Sequence, residues 1–111
     1  MNALIVLIEN PENAEDFLSV LVELDVAGLQ MIDSSSVMGI LARQAPIFAG
    51  LRQLVTRPKA DSKLVFGLSE DPNILSRLRK MLKKIDLDLD APGIGYAVVM
   101  PIADKAGTLE F

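Results

Sequence analysis

Four clusters of residue types in this 111-residue chain have the makings of a chemical site, and one absence constrains them all. There is no His and no Cys. Imidazole bases, Ser-His and Cys-His nucleophiles, disulfides and thiolate metal sites are therefore excluded together. Ser34-Ser35-Ser36 offers three consecutive hydroxyls. With no base to activate them, they can bond a ligand or the local backbone but not attack. Pro92-Gly93-Ile94-Gly95 is a tight glycine turn, yet no Lys or Arg adjoins it and no helix follows, so it is a weak phosphate cradle. Asp86, Asp88 and Asp90 imitate the D-x-D-x-D opening of a calcium loop. Ala91 stands where that loop needs its turn Gly, and Ala97 where it needs a bidentate Glu, so the triplet reads as a polar edge leaving a helix. Arg77, Arg79, Lys80, Lys83 and Lys84 form the only dense basic cluster, and a solvated helix face is the simplest account of it.

Composition narrows the function further. Fifteen acidic against 11 basic residues give a net charge of -4, which repels a phosphate backbone and sets nucleic acid aside as a partner. Half the residues are hydrophobic while only 5% are aromatic, and the mean hydropathy is +0.36. That aliphatic excess is more than one small domain buries by itself and points to burial between subunits. At this length a single domain, residues 1–111, removes roughly 65% of its unfolded surface from water and needs no staples. Met1 leads into Leu4 to Ile8 without a basic leader, and no apolar run approaches the ~18 residues of a membrane span, so a cytoplasmic protein is expected.

The elements that must position these clusters follow from periodicity. Ala3 to Ile8 is a continuous, β-branched-rich run, the pattern of a strand apolar on both faces. Asn10-Pro11-Glu12-Asn13 reads as a helix start, and Ala14, Phe17, Leu18, Leu21 and Leu24 recur at helical spacing through Asp25. From Gly28 to Ser35 the chain alternates as a second strand, with Gln30 and Ile32 on one side and Leu29, Met31 and Asp33 on the other. Val37 to Leu54 then carries apolar residues at Ile40, Leu41, Ile47, Phe48, Leu51 and Leu54, spacings that suit short helical pieces, the second starting at Pro46. Lys63 to Leu68 is a third strand. Ser69-Glu70-Asp71-Pro72 repeats the cap-acid-Pro grammar before a helix with Ile74, Leu75, Leu78, Met81, Leu82 and Ile85 on its buried stripe. Tyr96 to Ile102 closes the order as a last strand.

Strand, helix, strand, strand, helix, strand is a ferredoxin-like βαββαβ sandwich of the α+β class: an antiparallel four-stranded sheet, two helices on one face, and a short helical insertion between strands 2 and 3. Two helices cannot cover two faces. Because the first strand is apolar on both, the other face is expected against neighbouring subunits.

With that order in place, the residues resemble a known family. The Gly28-Leu29-Gln30-Met31-Ile32-Asp33 strand after a helix, the Gly93-Ile94-Gly95 turn and the Val98-Val99-Met100-Pro101-Ile102 strand resemble the PII (nitrogen-regulatory P-II) signal-transduction superfamily over nearly the whole chain. The resemblance implies a homotrimer that is not an enzyme, binds a small-molecule effector, typically an adenine nucleotide, in clefts between subunits, and regulates a partner protein. Carried over by position, the cleft uses Gly28, Leu29 and Gln30, the loop base at Ser35 and Ser36, and the turn Gly93, Ile94, Gly95 and Tyr96. The partner surface falls on Ile40, Leu41, Ile47, Phe48 and Leu51. This sequence departs from the family where phosphates are neutralised: Tyr96 stands where a Lys follows the Gly-x-Gly turn, Leu89-Asp90-Ala91 replaces Thr-Gly-Lys, and the two arginines after the last strand fall near Gly107 and Leu109. The long loop with a modifiable Tyr is also missing, so the chain resembles a divergent branch without the family's usual ATP contacts. Two alternatives share the fold: a small ferredoxin-fold enzyme, and a divalent-metal protein like CutA relying on carboxylates alone.

Overall fold

The computed structural model describes residues 1–44 and 61–109. Strand β1 (Asn2–Ile8) leads through a 3-10 turn (Pro11–Asn13) into α1 (Ala14–Glu23), then β2 (Ala27–Ser35), α2 (Val37–Gln44), β3 (Asp61–Ser69), α3 (Ile74–Lys84) and β4 (Gly95–Pro101). The four strands form one antiparallel sheet in the order β2-β3-β1-β4. Strands β1 and β2 both run against β3 and are therefore parallel to each other, as are β3 and β4 about β1. Each pair is joined by a helix, α1 or α3, with a strand inserted between, which is the expected ferredoxin-like α+β arrangement. The two helices accordingly run antiparallel, side by side on one face.

Strand pleating assigns the residues to faces. Leu4, Val6 and Ile8 pair across with Gly67, Val65 and Lys63 on β3 and with Val99, Ala97 and Gly95 on β4, so this set lies beneath the helices. It packs with Phe17, Val20 and Leu21 of α1 and with Ile74, Leu78 and Leu82 of α3 into one core, where Phe17, Val6, Ile8, Leu21, Leu78 and Leu82 lose all contact with solvent. The alternate residues form the opposite face: Ile5 and Leu7 on β1, Leu64 and Phe66 on β3, Tyr96, Val98 and Met100 on β4, and Ile32 on β2. No described element covers it. The apolar run in β1 thus reflects two different surroundings on its two sides.

Local chemistry explains the helix ends. Asn10 accepts from the Glu12 amide at 3.1 Å, but the turn it caps is 3-10, with α1 proper starting at Ala14. Before α3 the cap is a relay: Ser69 Oγ accepts from the Asp71 amide at 3.1 Å, and Asp71 Oδ1 from the Asn73 amide at 2.8 Å. Both helices end in the same way. Asp25 and Asp86 take left-handed backbone (φ 59 and 63), their amides bond Val22 and Lys83 carbonyls, and the next amides, Val26 and Leu87, reach back to Leu21 and Leu82. These are Schellman motifs in which a buried apolar residue follows the left-handed one. Asp86, read from sequence as the head of an acidic triplet, thus serves the helix terminus. No helix among the described residues is long and apolar enough to cross a membrane.

Candidate functional site

The nine expected cleft residues occupy three places within one chain. The first is the start of β2. Asp25 turns the chain out of α1, Gly28 adopts φ 63, and the register with β3 shifts between Ala27 and Gln30, so β2 enters the sheet through a bulge. Bulges re-aim side chains at sheet edges, and here two hollows flank Gly28. One of 280 Å³ is lined by Val22, Asp25, Val26, Gly28 and Leu29. The other, of 400 Å³, is lined chiefly by Leu24, Ala27, Leu68 and Leu109, with Asp25, Glu70, Asp71 and Arg77 among its charged residues. A Cβ at Gly28 would lie 3.0 Å from Leu109 Cδ2, the movable end of a side chain, so it is the left-handed backbone at φ 63 that calls for glycine there.

The second place is the far end of β2, about 23 Å along the strand at seven rises. A 430 Å³ hollow there is lined by Pro11, Asp33, Ser34, Ser35, Asp61, Ser62 and Lys63. The Ser34 and Ser62 hydroxyls bond each other at 2.7 Å, and Lys63 pairs with Asp33 across the strands. Ser36 is already occupied: its Oγ accepts from the Gly39 amide at 3.2 Å and its carbonyl from Ile40 at 3.0 Å, which starts α2. The hydroxyl row therefore divides its work among a strand pairing, a hollow and a helix cap.

The third place is the Gly93 to Tyr96 turn at the opposite edge, three strand spacings or roughly 14 Å away. The Ile94 carbonyl accepts from the Glu9 amide at 3.1 Å, tying the turn to the end of β1. Gly95, at φ 141, lies so close to β1 that a Cβ would sit 1.9 Å from the Leu7 carbonyl oxygen. This glycine is required by strand packing. Tyr96 pairs with Leu7 and stands 55% exposed on the open sheet face. One chain does not bring these three groups together, and a cleft that contains all of them needs the edges of more than one subunit.

Charge is distributed unevenly around these places. Asp71 is the one described group whose acidity is clearly displaced: the Asn73 amide and then the Arg77 guanidinium stabilise its carboxylate and hold it below the usual value. Asp90 pairs with Arg79 Nε at 3.0 Å, and Asp88 accepts from the Asp90 amide at 2.9 Å, so the acidic triplet is used locally. Leu109, Leu68 and Arg77 are site-lining residues that sequence reasoning missed. The one available signal for Leu109 was that it and Phe111 are large apolar residues in an otherwise polar and small-residue tail. Of the expected partner-interface residues, Ile40 and Leu41 lie half-buried on α2, while Ile47, Phe48 and Leu51, together with the helical piece expected from Pro46, lie outside the described residues. The chain matches no protein-family model and no curated protein.

Proposed function

We propose that this chain is a homotrimeric, cytoplasmic regulatory module of PII-like type, which binds a small-molecule effector between subunits and controls a partner protein. The observation that carries the reading is the apolar sheet face. Ile5, Leu7, Ile32, Leu64, Phe66, Tyr96, Val98 and Met100 run across all four strands without a charged residue among them, with the polar Gln30 and Ser34 flanking Ile32 on β2. Phe66, Val98, Met100 and Ile32 are between 39 and 55% exposed in the isolated chain. Contiguous apolar surface on that scale marks an interface. Burying it against other copies also brings sheet edges together, and those edges carry the Gly28 bulge and the Gly93 to Tyr96 turn.

The effector site is then composite. The hollows at Gly28 supply an apolar floor of Val26, Leu29 and Leu68, suited to a flat heterocycle, and the turn of a neighbour supplies Tyr96 as a lid. An adenine nucleotide is the first effector to try, because the family resemblance supplies it. The absence of Lys and Arg around the turn favours ligands with little phosphate charge. Val37 to Leu54, at the place of the family's signalling loop, presents Ile40 and Leu41 to the regulated protein.

Sedimentation velocity tests the assembly, and a stable monomer at micromolar concentration defeats the proposal. A thermal-shift screen of nucleotides, cyclic dinucleotides and small anions, repeated on Gln30→Ala and Tyr96→Ala, tests the site. A genuine effector at a hundredfold over its dissociation constant adds about 2.7 kcal/mol, and both variants should lose that gain. Gly95 is unsuitable as a probe, since substitution there reports folding.

A further inference from the structure

The helical layer carries a second, electrically written surface. Helix α1 with its preceding turn presents Glu12, Glu15, Asp16 and Glu23 and no basic residue; α3 presents Arg77, Arg79, Lys80, Lys83 and Lys84 and no acidic one. All nine are exposed. Of the seven cationic side chains described, five are on this one helix. Although the two helices are neighbours, no ion pair joins them: Arg77 goes to Asp71, Arg79 to Asp90, and among the described residues no carboxylate lies within ion-pair distance of Lys80, Lys83 or Lys84. A layer half acidic and half basic, with the three lysines of its basic half unpaired among the described residues, is complementary to a rotated copy of itself.

We infer that the helical face docks on the helical face of a second copy, with α1 of each molecule over α3 of the other. Charge selects among the two-fold arrangements. An axis across the helices sets α1 on α1 and α3 on α3, placing like charges together, and is disfavoured. An axis parallel to the helices and midway between them sets acidic on basic twice over. Because α1 and α3 are antiparallel, this second axis also lays the N-terminal turn of α1, with Glu12, Glu15 and Asp16, over the C-terminal turn of the partner's α3, with its lysines. The opposed helix dipoles agree with that pairing. An anionic membrane is the weaker occupant, since the acidic helix beside α3 repels the same surface that the lysines attract. The contact is independent of the apolar sheet face, so it joins sheet-face assemblies to one another.

Exposed charges are screened beyond roughly 10 Å at 0.1 M salt and beyond roughly 3 Å at 1 M, so the association should be strongest in dilute buffer. Sedimentation velocity at about 20 mM and about 500 mM NaCl should show a species heavier than the sheet-face oligomer only at the lower salt, with about tenfold weakening between them. The triple variant Lys80→Glu, Lys83→Glu, Lys84→Glu should lose the heavier species, as should Glu15→Lys, Asp16→Lys, Glu23→Lys. Mixed in equal amounts, the two variants should regain it, because each then meets its complement. Circular dichroism confirms that both remain folded, and Lys80→Gln, Lys83→Gln, Lys84→Gln replaces the first variant if it does not. A wild-type mass that is the same at both salts, or a mixture that stays at the mass of its parts, overturns the inference.

Discussion

The two faces of the sheet are built from alternate residues of the same strands, yet they have opposite consequences. Val6 and Ile8 point beneath α1 and α3 and lose all solvent contact, whereas Ile5 and Leu7, one residue away, stay half-buried on a face that no described element covers. The hydrophobic effect acts on both sides alike. On the first it is satisfied within the chain and appears as folding stability; on the second no described element satisfies it, and in the proposed assembly that surface serves association. The helical layer reverses this outward: its buried stripe is apolar, while its outer surface is mostly polar, with the charges divided by sign between two helices and Val22 the large apolar exception on α1.

The largest expected effect falls on the β1–β4 pairing that both faces share. Gly95→Ala places a methyl against the Leu7 carbonyl and should separate β4 from β1, destabilising by more than about 3 kcal/mol in urea denaturation. A fully folded Gly95→Ala would mean that β4 can be displaced without harm. Next in size, Leu78→Ala empties a site under the helices and should cost about 3 kcal/mol with no change in oligomer mass at equal folded fraction. Its counterpart on the open face, Phe66→Ala, should cost under about 1 kcal/mol in the isolated chain but lower the mass measured by sedimentation. If both behave the same way, the two faces do not differ as described.

Smaller effects act on the helical layer alone. Asp25→Gly and Asp86→Gly relieve left-handed backbone at the two Schellman turns and should each raise stability by about 0.5–1 kcal/mol, read as an increase in the urea midpoint. The smallest effect is acid dependence at Asp71. Its folded-state pKa lies below the ordinary 3.8, so its contribution is present above that value and fades as pH falls through the lower folded one. Asp71→Asn should flatten the stability profile in that acidic window, and an unchanged profile would show that the link to Arg77 and Asn73 contributes nothing.

Much of the architecture was legible because periodicity reports burial directly. The doubly apolar β1, the helical stripes through Phe17 and Leu78, and the glycine turn before β4 each left a local signature. Boundaries were less legible where short-range bonds decide them: Asn10 caps a 3-10 turn, and Asp86 looked like a metal-loop residue although it terminates a helix, because the left-handed turn depends on Leu87 finding Leu82. The candidate site was the least legible part. Gly28, Ser35 and Gly95 are each explicable in their own strand, and nothing local relates them.

The sequence by itself determined the class of fold, the excess of apolar surface and the exclusion of His and Cys chemistry, since these depend on residue type and on spacings shorter than a helix. Tertiary structure alone decided which apolar residues no described element covers, why Gly95 must lack a side chain, and how Leu109 comes to rest against Gly28 from 81 positions away. Those facts arise from contacts between distant segments, and a contact made by chain closure leaves no periodic trace in the segments that make it.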